Sequence, residues 1–401
     1  MSVLKQDPTA TPSSPRSSRI PGLDLARGIA IIGTLATNIW LFTHVGGMLG
    51  SLDDPVTPGT PPTAAAAQQV LTTVSNGKFL GLLTLMFGIG LELQRRSRAN
   101  AGLRWPGSYL WRAALLLVDG VINFILIVEF DVLMGYAITG GVVAYLMLTS
   151  ERAQRVWIWV TGMLHVVIIT LLSGAMLALE SSGAPMNVPD PATAYPYANG
   201  SFLDLVRFRL DNVLLFRAEP ILIFAMSIAM FLLGAHLLRT GIFSPEGARL
   251  RTRLMILGLA CAAPVDLAVG VFGGTGGFFF GRYVLAPVVA LGLLALIAHI
   301  SLRTSPSTWL SLRLQEVGRV ALSGYILQNL IGSFLFYGWG LGLAAQLGSW
   351  RVPATVAAFV VISALVLSFA HLWLRRFRQG PVEWLWATSY TALSGSRVRR
   401  R

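Results

Sequence analysis

Two carboxylates two residues apart, Glu129 and Asp131, lie in a stretch of almost unbroken apolar sequence. Held this close, one of them can be pushed toward neutrality, the condition for general acid or base work near neutral pH. His44, near the far end of the first apolar segment, is a further candidate base. A second group is Arg112, Asp119 and Asn123, spaced i, i+7 and i+11, which puts all three on one stripe of a helix. Asp24 and Arg27, three apart where the first apolar segment begins, sit on neighbouring helical positions and can pair. Arg27 can equally hold a phosphate, because its planar fork suits bidentate anion recognition. Arg95, Arg96, Arg112 and Arg319 supply further positive charge for such an anion. No two histidines have the i,i+4 spacing of a metal site, and the one cysteine, Cys261, excludes an intrachain disulfide; it reads as a small packing residue.

The elements that carry these residues are membrane helices. Only 12% of the 401 residues are charged and the mean hydropathy is +0.65, against roughly a quarter charged in soluble domains. The pattern predicts an all-α polytopic bundle of about ten spans, near 24–46, 74–94, 109–128, 132–149, 156–179, 218–238, 254–272, 279–300, 320–341 and 353–374. Arginine occupies every second gap. No Lys or Arg lies between Arg112 and Arg152, Arg155 and Arg207, or Arg253 and Arg282. Of 31 Lys and Arg, all but six (Lys78, Arg207, Arg209, Arg217, Arg282 and Arg351) fall on the side of both termini. Cytoplasmic loops retain Lys and Arg, so both termini are expected in the cytoplasm of a bacterial cell, the protein being a multi-pass plasma-membrane protein. The net charge of +13 reads as this topology signal plus contact with anionic lipid headgroups; nucleic acid is not an expected partner. Oligomeric state is not legible.

Three parts follow: a polar tail over 1–20, a ten-helix membrane domain over 21–379, and a basic tail over 380–401. Residues 180–217 form the longest outer connection, in which Phe202–Phe216 has amphipathic spacing and is expected to lie on the outer surface. Residues 47–73 read as a flexible loop, and Gly273–Gly277 as a tight re-entrant turn. Gly88 and Gly90, and Gly338, Gly340 and Gly342, are candidate helix breaks.

Three stretches carry a resemblance. Leu23–Gly33 (LDLARGIAIIG) followed by Asn38-Ile39, then Gly318–Asn329 (GRVALSGYILQN), then Gly380–Trp386 (GPVEWLW) together resemble the YeiB-like bacterial membrane proteins, domain of unknown function 418. Leu80–Gly90 and the DVLMGYAI run from Asp131 fit as well. The chain departs from that pattern at Gly324, at Ala387, and at Asn123, which stands where the family has a histidine. The LDLARG opening is also similar to that of membrane acyltransferases that modify cell-surface sugars with acyl groups drawn from cytoplasmic acyl-CoA. Their first-helix histidine aligns with Asn38 here, and His44 lies six residues on.

The resemblance implies acyl transfer from an acyl-CoA co-substrate to an outer-face acceptor. Asp24, Arg27, Asn38, Arg112, Arg319 and Gln328 would hold the donor or substrate. Asp119 and Asn123 would line the route, and His44, Asp131 or Glu129 would act as base. The alternative is a transporter or exporter of a small amphipathic molecule built around a buried polar site at Asp119. A basic cleft leading to His44 or Asp131 would favour transfer, and a closed mid-plane cavity at Asp119 would favour transport.

Overall fold

A computed structural model describes residues 20–53, 55–56, 59–182, 195–303 and 308–394. The two expected tails at 1–19 and 395–401, including the terminal arginines, and most of the Pro-rich stretch at 183–194 lie outside the described residues. The described chain is helical, with no strand. Its helices are α1 (Pro21–Phe42), α2 (Gly47–Asp53), α3 (Pro62–Ser75), α4 (Lys78–Asn100), α5 (Tyr109–Leu126), α6 (Leu133–Leu146) and α7 (Glu151–Ser181). After the outer connection come α8 (Phe202–Asp211), α9 (Val213–Leu222), α10 (Phe224–Arg239), α11 (Ala248–Met255), α12 (Ala263–Phe272) and α13 (Gly274–Phe280). The last five are α14 (Ala286–Arg303), α15 (Trp309–Arg319), α16 (Ala321–Phe336), α17 (Arg351–Arg376) and α18 (Pro381–Ser394). Two π-helical stretches, Ile256–Ala262 and Gly281–Leu285, join α11 to α12 and α13 to α14.

Seven helical stretches are long and apolar enough to cross a membrane, eight if the bent pair α9–α10 counts as one. The outward surface is apolar: α7 exposes Trp159 at 73% and Leu171 at 69%. A belt of this kind is stable only against lipid, so the fold is that of a helical membrane protein. α6 and α16 overlie two further predicted spans, but have only 14 and 16 residues. At 1.5 Å per residue they reach about 21 and 24 Å, short of a roughly 30 Å hydrocarbon core. Each is short because the chain unwinds beside it, at 127–132 before α6 and at 337–342 after α16.

Several expectations change. Residues 47–53 and 62–75 are helical (α2 and α3) rather than a loop; Pro62 starts α3 at a position where its missing N–H costs nothing. Gly88 and Gly90 do not break α4. A Cβ on Gly88 would strike the Phe231 carbonyl, and one on Gly234 the Leu85 carbonyl, so glycine lets α4 and α10 touch backbone to backbone. Gly338, Gly340 and Gly342 lie where the chain unwinds after α16, at the end of the span expected at 320–341, and a further break is the 44° bend between α9 and α10. At 273–277 the chain turns at Gly274, with φ +60°, and is already helical from there. Cys261 is exposed in a π-helical stretch and packs no core.

The first two motifs meet as a helix crossing. A Cβ on Gly28 would run into the Leu314 carbonyl, and one on Gly318 into the Asp24 carbonyl. The glycines at the ends of the two motifs are thus one notch between α1 and α15. Gly28→Val is expected to cost about 1–3 kcal/mol or prevent folding. Gly141→Ala, where nothing lies within 4 Å, is expected to leave the detergent-solubilised melting temperature unchanged. Equal melting temperatures for the two variants would contradict the notch.

Candidate functional site

The unwound segment after α5 exposes backbone carbonyls that no helix satisfies. Two arginines from the outer connection supply the donors. Arg209 Nη1 and Nη2 donate to the carbonyls of Ile125 (3.1 Å) and Ile127 (3.0 Å), and Arg217 donates to those of Glu129 and Asp131. Four alternate carbonyls along one strip of chain are therefore each met by a guanidinium. Cations at the carbonyl end of α5 also suit its dipole. Arg209, 1% exposed, pairs with Glu129 at 3.4 Å, and Tyr337 donates its hydroxyl to the other Glu129 oxygen at 3.3 Å. Arg217 stacks over the Phe124 ring at 4.2 Å. The amphipathic α8–α9 segment roofs the segment below, burying Leu205, Arg209 and Phe216, while Leu203, Leu210 and Leu214 stay exposed on its other side.

Beneath that roof lies Asp131, 1% exposed. Asn123 Nδ2 donates to its Oδ1 at 2.8 Å and the Met134 N–H to its Oδ2 at 3.1 Å, at the start of α6. Burial pushes the Asp131 carboxyl up to about 6, against the pull of the Met134 N–H, the Asn123 amide and the Arg217 charge. Glu129 and Asp131 are thus not a dyad, since each is sent to different partners. From the facing side α16 presents Tyr325, Asn329 and Ser333, four apart, with Tyr337 just past its end, each no more than 3% exposed. Tyr325 faces Asp131 and Asn329. Asn329 lies against the Tyr325 hydroxyl, and the Asn123 Oδ1 has no hydrogen-bond partner among the described residues.

On its other side Asp131 borders a cavity of about 20 Å³, room for a water or two. Tyr136 and Thr139 of α6 line it, with Glu219, Pro220 and Ser227 from the bent α9–α10 pair opposite. Glu219 accepts from Arg282 (2.6 Å) and Tyr283 (2.8 Å), and Arg282 also donates to Asn76 at 2.5 Å. Lys78 pairs with Asp266 at 2.5 Å, and His165 Nε2 lies 2.9 Å from the Tyr283 carbonyl. Arg351 donates to the carbonyls of Pro55 and Trp40.

At the opposite end the second and third motifs lock together. Glu383 accepts from the Leu322 and Ser323 N–H groups and from the Ser323 hydroxyl, closing the N-terminus of α16. The expected tail is therefore α18, packed on α5 and α16. Arg112 lies over the Tyr390 ring at 4.6 Å and donates to Gln94 at 3.1 Å. Asp119 approaches Trp386 and Glu383. Arg95 and Arg96 are both held by Glu92.

The sequence-derived candidates thus divide between two ends. Asn123, Asp131 and Glu129 come together under the roof, whereas Asp24, Arg27, Arg112, Asp119 and Arg319 lie toward the motif end. Asp24 and Arg27 form the expected pair, at 3.5 Å. Gln328 donates weakly to Thr34 on α1 (3.3 Å), and Asn38 is half-buried on α1. His44 lies past the end of α1, where its Nδ1 accepts the Gly46 N–H at 3.1 Å. Sequence reasoning missed Arg209, Arg217, Glu219, Arg282, Tyr325 and Asn329. The signal was available. Five of the six cations on the arginine-poor side, all but exposed Arg207, are engaged inside the protein.

Arg209→Met should strand Glu129 and two carbonyls. A loss of about 3–5 kcal/mol is expected, against less than about 0.5 kcal/mol for Arg207→Met on the same helix. Chemical denaturation of the purified variants measures both; similar losses would remove Arg209 from its structural role.

The model of a protein family of unknown function, DUF418, matches residues 237–391, which include the second and third motifs. The chain is 27% identical over 402 residues to uncharacterized protein YxaH of Bacillus subtilis (strain 168), covering 96% of this chain and 97% of that protein. It is 29% identical over 389 residues to uncharacterized protein YeiB of Escherichia coli (strain K12), covering 91% and 94%. Colinear along nearly its whole length with these relatives, and matched by the DUF418 model over 237–391, the chain is similar to the YeiB-like DUF418 proteins.

Proposed function

We propose that the protein is a ten-span bacterial plasma-membrane enzyme, both termini cytoplasmic, that transfers an acyl group from a cytoplasmic acyl-CoA-type donor to a hydroxyl acceptor at the outer side. Counting α6 and α16 as spans, and α9–α10 as one bent span, brings the seven long crossings to ten. The observation that carries the enzymatic reading is Asp131: a buried carboxylate, oriented by Asn123 and a helix N-terminus, beside buried polar groups of α16. As a carboxylate it accepts the proton of an attacking hydroxyl. The new bond joins the hydroxyl oxygen to the acyl carbon, the thioester C–S bond breaks, and the departing thiolate takes up a proton. Arg27, Arg112 and Arg319 at the motif end supply charge for the donor's phosphates. A cavity of about 20 Å³ does not admit an acyl chain, so the reading requires α9 and α10 to part at their bend.

One observation favours the alternative of transport: a bent helix pair lines a small, mainly apolar cavity that reaches Asp131 and Glu219, and broken helices line the substrate sites of transporters. That cavity borders Asp131 rather than Asp119. The readings separate on donor binding. Acetyl-CoA is expected to bind the detergent-purified protein saturably, and Arg27→Ala to weaken it. With an accepted hydroxyl compound, the rate is expected to rise with pH through about 6 as Asp131 ionises. Asp131→Asn should be slower by about 100-fold or more and lose that limb. Absence of binding at millimolar acetyl-CoA would replace transfer by transport, to be measured as uptake into proteoliposomes.

A further inference from the structure

At the motif end α15 and α17 hold a concentration of positive charge around one carboxylate. Glu316 pairs with Arg313 at 2.7 Å and lies 3.2 Å from His371 Nδ1, while Arg319 and Arg375 also act on it. Three guanidiniums thus face one carboxylate, leaving about two positive charges uncompensated even with His371 neutral. Arg319 reaches across to the Arg378 carbonyl, which ties the end of α15 to the chain after α17. The Nε–H groups of Arg313 and Arg319 are buried and have no hydrogen-bond partner among the described residues. A buried guanidinium N–H without an acceptor is costly, and a phosphate oxygen is the acceptor that fits its charge and fork. Beside the cluster, α15 exposes Trp309 at 69% and Leu310 at 53%, and Phe377 is 49% exposed. Aromatic and aliphatic side chains next to arginines place such a site at the boundary between headgroups and acyl chains.

We infer that Arg313, Arg319 and Arg375 form a binding site for a phosphoryl group that belongs to a molecule with an apolar portion. The chemistry fits an anionic phospholipid headgroup or the phosphates of a soluble acyl carrier equally. The inference shares Arg319 with the donor site proposed above, but rests on the charge excess and the unpartnered donors and needs no acyl transfer.

The test uses the full-length protein in detergent, with phosphatidylglycerol and phosphatidylcholine as lipid probes and coenzyme A as the soluble one. Native mass spectrometry reads lipid retention and calorimetry reads coenzyme A. Preferential retention of phosphatidylglycerol, or saturable coenzyme A binding, is expected, with a loss of about tenfold or more in Arg313→Gln/Arg319→Gln. Lipid alone identifies the headgroup as the ligand, and coenzyme A alone identifies the soluble carrier; either supports the site. Arg249→Gln, on α11, controls for general charge loss. Equal binding of both probes by wild type and a folded, monodisperse double variant overturns the inference. So does an equal loss in Arg249→Gln.

Discussion

Four carbonyl oxygens, those of residues 125, 127, 129 and 131, set the terms for one end of this molecule. Buried and left unmet, a polar group of this kind costs several kcal/mol. Arg209 and Arg217 meet all four. Once they do, the chain can leave helical geometry after α5, α6 can start late, and the Asp131 side chain can turn inward. The α8–α9 segment is placed by the same contacts, and with it the bend that opens the small cavity. The buried charge of Arg209 is held because it neutralises Glu129 and satisfies backbone together.

The opposite end is organised by close approach rather than by charge. Gly28 and Gly318 let α1 and α15 touch, and Glu383 closes the N-terminus of α16. The three motifs far apart in sequence are therefore one packed unit. α5 links it to the outer site, since Arg112 and Asp119 belong to the motif end while Asn123 reaches Asp131. α16 links it again, with its start under Glu383 and its polar stripe at the 129–132 segment.

Much of this was legible in the sequence. Hydropathy and the arginine rhythm locate helices at each of the ten expected spans, because burial in lipid and retention of positive charge act over whole segments. The family resemblance carried through for a similar reason, its glycines and Glu383 being fixed by contacts that admit few substitutes. The site was only half legible. Asn123, Glu129 and Asp131 stand out as polar residues in apolar sequence, but which of the two carboxylates would pair with an arginine depends on a segment some 80 residues away. The amphipathic pattern of 202–216 could not separate a lipid surface from a protein surface, since both demand one apolar face. Tyr325 and Asn329 were hidden by their setting in a motif, where Gln328 drew the attention. The bend at 222–223 has no glycine to announce it.

The account depends on the two assemblies lying on opposite faces of the membrane. Sidedness of single cysteines, introduced after Cys261→Ser, measures this directly on intact cells with a membrane-impermeant maleimide. Ser201→Cys, ahead of α8 and exposed, should be labelled from outside; Thr308→Cys, ahead of α15 and exposed, should be labelled only after the cells are opened. Labelling of both from outside, or of Thr308→Cys alone, would contradict a cytoplasmic motif unit serving an outer site.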